Sequence, residues 1–216
     1  MKKIPVITFI LLSAVSHFSI AQKDSKADGI LKSVSAKYKS FKSLTVAFNL
    51  TIENQKEKTK DKQTGNITIK GDKYKLDMNG QEVISDGKSI WTFLKEENEV
   101  QINDAAAKKE DAISPTTIFT IYEKGFRSKY IGEKKEGAKV IQQVELVPED
   151  AKKPYFKIQL SINKTTKFIE SAKILNKSGS HIFYIVEKFN ADVPAPDNLF
   201  SFDTTKHPGV EVVDLR

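Results

Sequence analysis

Strand signals follow one another along this chain, and most of the connections between them are too short to hold more than a turn. Leu44, Val46, Phe48, Leu50 and Ile52 alternate with Thr45, Asn49 and Thr51, the period of two expected for a strand with one apolar face. Further strands are expected over Gly65 to Lys70, Lys73 to Met78, Gln81 to Ser85, Ser89 to Lys95 and Val100 to Asn103, separated by Gly71-Asp72, Asn79-Gly80, Asp86-Gly87 and Glu96-Glu97-Asn98. These separators have the size and chemistry of hairpin loops. Parallel strands need crossovers of a dozen or more residues, so the succession points to an antiparallel meander.

The strand rhythm resumes at Phe126 to Ile131, Lys139 to Val147, Tyr155 to Ile162, Phe168 to Leu175 and His181 to Phe189, with turn residues at Asn163 to Thr166 and Lys177 to Gly179 and a stiffer loop from Pro148 to Pro154. The run from Glu53 to Thr64, rich in lysine and acid, reads as a hairpin tip or flexible loop. Helical spacing of Ile30, Leu31, Val34 and Tyr38 predicts a first helix over Asp24 to Tyr38, capped by Asp28 or Ser25. A second helix is expected from Ser114-Pro115 through Ile118, Phe119, Ile121 and Tyr122 to Gly125. The proline-bearing segment from Asp192 to Asn198 cannot be a central strand. Twist accumulates along a meander of about ten or eleven strands, and exposed edges are costly. The expected fold is therefore mainly β (α+β), an open, incomplete antiparallel β-barrel with a helical lid.

Met1 to Ala21 has the form of a secretory signal peptide: Lys2 and Lys3, an apolar stretch from Ile4 to Leu12, and a Ser19-Ile20-Ala21 cleavage site. The alternative, a signal anchor, is disfavoured because the apolar stretch falls well short of the ~20 residues that span a bilayer. Residues 22–216 are expected to form a single domain and a monomer. The absence of cysteine excludes a disulfide framework, a thiol nucleophile and a lipidated cysteine at the cleavage point. The net charge of +7 is spread among acidic residues, which disfavours nucleic acid as a partner and weakly favours anionic lipid headgroups.

The inner face of such a barrel is expected to carry Val46, Phe48, Leu50, Ile67, Ile69, Tyr74, Leu76, Met78, Phe156, Ile158, Leu160 and Phe183, joined by Trp91 and Phe93, which share a strand face after the Asp86-Gly87 turn. Either two helices fill this space and the residues are ordinary core, or the helices close a cavity for an apolar ligand. Catalytic signatures are missing. No Gly-x-Ser-x-Gly elbow, phosphate loop or dinucleotide fingerprint occurs, and beyond the leader the histidines are only His181 and His207. Glu96-Glu97 and Glu149-Asp150 lie in expected loops. An enzyme on this scaffold would need a polar residue on the inner face, for which Tyr74, Tyr184 and His181 are the candidates. No metal or cofactor is implied.

In order and spacing, the helix running into Leu44-Thr45-Val46-Ala47-Phe48, the Gly65 to Lys70 strand, the Ser85 to Trp91 segment, and Phe200-Ser201-Phe202 followed by Pro208 to Asp214 resemble the LolA family of periplasmic lipoprotein carriers. The resemblance implies a cavity that carries the acyl chains of lipoproteins across the periplasm, from an inner-membrane lipoprotein-releasing ABC transporter to an outer-membrane acceptor, beneath a lid to which Ile118, Phe119 and Tyr122 belong. It also implies an arginine after the lysine of the Gly65 to Lys70 strand, fastening the lid. Here Lys70 is followed by Gly71 and Asp72. Lys73 or Lys75 is then the available substitute, though a lysine lacks the planar five-donor fork, and the lid is otherwise expected to be held by apolar contacts alone. The alternative function is a LolA-like binder or sensor of another hydrophobic ligand, without shuttling.

Overall fold

The computed structural model describes residues 24–107 and 120–216. One long helix, α1 (Ser25–Lys39), precedes the strands. Asp24 caps it: Oδ1 accepts from the backbone N–H groups of Lys26 and Ala27, both at 3.0 Å. The cap is thus neither Ser25 nor Asp28, the two expected, because the first free N–H groups of the helix lie within reach of the Asp24 carboxylate. Lys37 and Lys39 occupy the last turn, where positive charge suits the helix dipole.

The strands are β1 (Leu44–Asn54), β2 (Thr59–Lys70), β3 (Lys73–Met78), β4 (Gln81–Ser85), β5 (Ser89–Leu94), β6 (Glu99–Asp104), β7 (Phe126–Glu136), β8 (Lys139–Pro148), β9 (Tyr155–Asn163), β10 (Ile169–Asn176), β11 (Ser180–Ala191) and β12 (Glu211–Asp214). They form one sheet in the order β12-β6-β5-β4-β3-β2-β1-β11-β10-β9-β8-β7. The outermost strands, β12 and β7, are not paired with each other, so the barrel is unclosed as expected. Two meanders meet at the seam between β1 and β11, where Leu50 faces Tyr184 and Ile52 faces Ile182. Every pairing is antiparallel except that of β12 on β6, where Glu211 to Asp214 run alongside Glu99 to Ile102. That strand is the one beyond the expected count.

The β1–β2 hairpin is longer than its composition announced. The polar run from Thr59 to Thr64 continues the ladder, Asn54 facing Thr59 and Thr51 facing Lys62. Cross-strand hydrogen bonding extends the strand where side-chain polarity argues for a loop. At the β4–β5 turn Asp86 Oδ1 accepts from the N–H groups of Lys88 and Ser89, both at 2.8 Å, and Gly87 sits at φ +90°; the acid and the glycine together set this reversal.

Helix α1 lies against one face of the sheet, burying Ala27, Ile30, Leu31, Val34 and Tyr38. Register identifies this inner face, since residues directly opposed on neighbouring strands share a side. Val46 faces Ile67, Ile67 faces Leu76 and Leu76 faces Val83; in the other half Val144 faces Leu160, Leu160 faces Ala172 and Ala172 faces Tyr184. Most of these side chains are among the most deeply buried of the chain, Ile67, Leu146 and Ile158 fully so. A second apolar layer covers the outer face of β3 to β6, built from the chain after β11. A 3-10 turn at Asp197–Phe200 packs against β3, and the rings of Phe93, Phe202 and His207 meet with centroids 4.4 to 5.3 Å apart.

Of the expected second helix, the residues up to Phe119 lie outside the described residues; its described end is one 3-10 turn, Ile121–Glu123. The expected leader, residues 1–21, also lies outside them. Among the described residues no helix is long and apolar enough to cross a membrane.

Candidate functional site

The sheet brings together on its inner face Val46, Phe48, Leu50, Ile67, Ile69, Tyr74, Leu76, Met78, Ile158 and Leu160, and Tyr122 packs into the same cluster from the 3-10 turn. Not all of this surface is sealed by the helix. Ile52, Ile69, Met78 and Val83 pack against the core yet remain only half-buried. They are spread over β1 to β4, Ile52 opposite Asp61 at one end of the β1–β2 pairing and Ile69 opposite Leu44 at the other.

Four of the expected site residues are elsewhere. Trp91 faces Ile84 and Ile102, and Phe93 faces Glu82 and Val100; this parity is the outer side, and Phe93 is buried there under Phe202 and His207. Phe183 faces Thr51 and Lys173 on the outer side, with the Lys173 ammonium 4.8 Å from its ring centre. Phe156 is 43 % exposed. A bulge is the cause: Leu175 faces Lys157 but Asn176 faces Tyr155, so the alternation slips and Tyr155 turns inward, its ring stacked on Phe126 with centroids 6.1 Å apart. Ile118 and Phe119 lie outside the described residues.

Tyr74 and Tyr184 do lie on the inner face, and burial pushes the Tyr184 phenol up to about 12. His181 faces Glu53, on the outer parity, and does not join them. The Tyr184 hydroxyl therefore keeps its proton at neutral pH, and among the described residues the inner face presents no paired acid and base.

A cleft of about 480 Å³ opens where α1 ends, lined by Tyr38, Phe41, Leu44, Ile69 and Tyr74 with Lys39, Lys42 and Lys73. Beside it Tyr38, Phe41, Phe168 and Phe189 make a cluster of rings with centroids 4.1 to 6.2 Å apart. The Tyr38 hydroxyl accepts from the Ile169 N–H at 3.2 Å, which ties the helix to β10. A second cleft, about 330 Å³, separates α1 from the 3-10 turn and β7 and is lined by Leu31, Tyr122 and Phe126 together with polar residues.

Polar contacts join α1 to the 3-10 turn beside the buried Tyr122 ring. Glu123 takes a hydrogen bond from Ser35 and an ion pair from Lys39 at 2.8 Å. Lys39, and after it Ser35, hold the Glu123 carboxyl below the ordinary glutamate value. Neither lysine expected as a substitute for the family arginine pairs with Glu123, although Lys73 lines the same cleft. Lys73 shares Asp197 with Lys70, each at 3.1 Å, and Lys75 pairs with Glu82 at 2.8 Å. Sequence reasoning missed Glu123, Ser35 and Lys39 because more than eighty residues separate the helix from the turn; no local pattern announces a partnership over such a distance.

The family described as "Outer membrane lipoprotein carrier protein LolA" matches residues 39–203. Among solved structures, an uncharacterized conserved protein from Thermus thermophilus is similar at 12 % identity and TM-score 0.56, covering 88 % of this chain and 99 % of its own. LprF from Mycobacterium bovis is similar at 14 % identity and TM-score 0.51, covering 81 % and 97 %. LolA superfamily protein NE2245 from Nitrosomonas europaea is similar at 14 % identity and TM-score 0.44, covering 82 % and 97 %. At such identities the first two likenesses speak for the fold. No curated protein matches the sequence significantly. The family match over most of the chain, on an unclosed sheet wrapped about one helix, places this chain in the LolA family.

Proposed function

We propose that this protein is a periplasmic carrier that holds the acyl chains of lipoproteins on its inner face and ferries them from the inner to the outer membrane. It would receive them from a lipoprotein-releasing ABC transporter and pass them to an outer-membrane acceptor. The observation that carries this proposal is an inner face that stays apolar across β1 to β4 and on which Ile52, Ile69, Met78 and Val83 remain only half-buried. A hydrocarbon chain laid along it gains about 0.8 kcal/mol per buried CH₂, so binding needs burial and no covalent chemistry. Uptake and release are then differences in buried area between protein, transporter and membrane.

The second reading, a binder of another hydrophobic ligand without shuttling, draws on the lid fastening. With Lys70 and Lys73 paired to Asp197 and Glu123 paired to Lys39 of α1, release would be controlled by different groups from those of an arginine-fastened carrier. Incubating the purified protein with inner-membrane vesicles of its source separates the two. Acylated lipoprotein found in the soluble fraction, complexed with the protein, supports the carrier. Uptake of free fatty acid or phospholipid with no lipoprotein released overturns it in favour of the second reading.

A further inference from the structure

Tyr122 is 6 % exposed, and its hydroxyl is buried without a hydrogen-bond partner among the described residues. Buried hydroxyls are nearly always paired, because the water they lose must be replaced. Its neighbour in the core obeys the rule: Tyr38, 8 % exposed, accepts from the Ile169 N–H at 3.2 Å. Tyr122 belongs to the apolar core cluster and also lines the cleft of about 330 Å³. The other walls of that cleft are largely polar, including Lys32, Ser35, Lys124 and Ser128. Tyr122 thus stands where the apolar interior gives way to a polar mouth. The other buried unpartnered polar atoms among the described residues, on Gln142 and His181, line neither cleft.

An amphiphile whose tail enters the core and whose polar end lies in the cleft places its first oxygen-bearing group at this boundary. We infer that Tyr122 donates a hydrogen bond to the carbonyl oxygen of a bound ester- or amide-linked acyl chain, so that the site selects acyl groups over plain hydrocarbon. The inference deepens the acyl-binding role proposed above and rests on it. Tyrosine suits this role because burial raises its phenol further above neutrality. It therefore remains a donor, and its free state carries an unmet hydrogen bond that the carbonyl relieves.

The test compares a medium-chain fatty-acid methyl ester with the alkane of equal length, each displacing a fluorescent apolar dye from wild type and from Tyr122→Phe. The ester should lose roughly fivefold in affinity on substitution while the alkane is unchanged. The ligand-free Phe variant should be at least as stable as wild type, since it buries no orphaned hydroxyl. Equal loss for both ligands, or loss for neither, overturns the inference, as does a less stable ligand-free variant, which would mean that the hydroxyl has a partner or a bound water of its own. Failure of wild type to bind either ligand would instead remove the acyl-binding role itself.

Discussion

The ring of Phe48 lies directly over Gly65 on the neighbouring strand: a Cβ at Gly65 would stand 2.5 Å from Phe48 Cζ and 3.0 Å from both Cε atoms. The two residues face each other across β1 and β2, and Phe48 also meets Tyr184 on its other flank, with ring centroids 6.0 Å apart. Gly65 is there for the space it leaves. Gly65→Ala should displace the ring and cost about 1–3 kcal/mol, the usual penalty of adding a methyl where a ring already sits. Urea unfolding measures it; an unchanged midpoint would mean that the ring moves freely.

Asp24 joins the helix start to an edge strand. Its Oδ1 caps α1 while Oδ2 accepts from the Tyr130 N–H at 2.7 Å. The Ala27 N–H, then that of Tyr130, hold the Asp24 carboxyl below its ordinary value. A carboxylate depressed in the folded state contributes stability that is present above its unfolded value and lost as pH falls through the folded one. Asp24→Asn should therefore lower the melting temperature at neutral pH and flatten its acid limb. A melting temperature and pH profile identical to wild type would contradict this double role.

Glu123 should control how readily the helix and turn part. Its folded value is also depressed, so its link to Lys39 and Ser35 holds at neutral pH and weakens on acidification. Dye exchange in wild type should quicken as pH falls through the acidic range, whereas Glu123→Gln should exchange quickly and show little pH dependence. Stopped-flow displacement decides; parallel pH profiles would exclude Glu123 as the fastener.

Strand β12 shields the edge of β6, and an uncovered edge invites pairing with another chain. Removing the residues from Glu211 onward should leave a folded protein that self-associates as concentration rises. Sedimentation velocity reads this directly, and a truncated chain that stays monomeric would show that the β6 edge is already blunted by its own side chains.

The hairpin turns, the helix and the unclosed antiparallel sheet were legible because glycine and aspartate mark the reversals and β1 alternates cleanly. Which parity faces inward was not legible everywhere. Trp91 and Phe93 alternate as well as any inner-face pair, but their outer placement follows from Phe202 and His207, distant in sequence. In β11 the run Ile182, Phe183, Tyr184, Ile185 and Val186 is apolar on both parities, so only pairing with β1 assigns Tyr184 inward and Phe183 outward. Phe156 was misplaced by a bulge that exists only once β9 pairs with β10. The long β1–β2 hairpin shows the reverse case, in which ladder hydrogen bonds extend strands through a polar sequence.

That division between faces gives the most direct test of the claim that the inner face receives acyl chains. In a Trp91→Phe background, which removes the sole tryptophan, a tryptophan is introduced by Val83→Trp on the inner face or by Phe183→Trp on the outer, and each variant is titrated with a fatty acid brominated along its chain. Acyl chains held on the inner face should give strong saturable quenching for the Val83 variant and little for the Phe183 variant. Equal quenching of both, or quenching confined to the Phe183 variant, would contradict it.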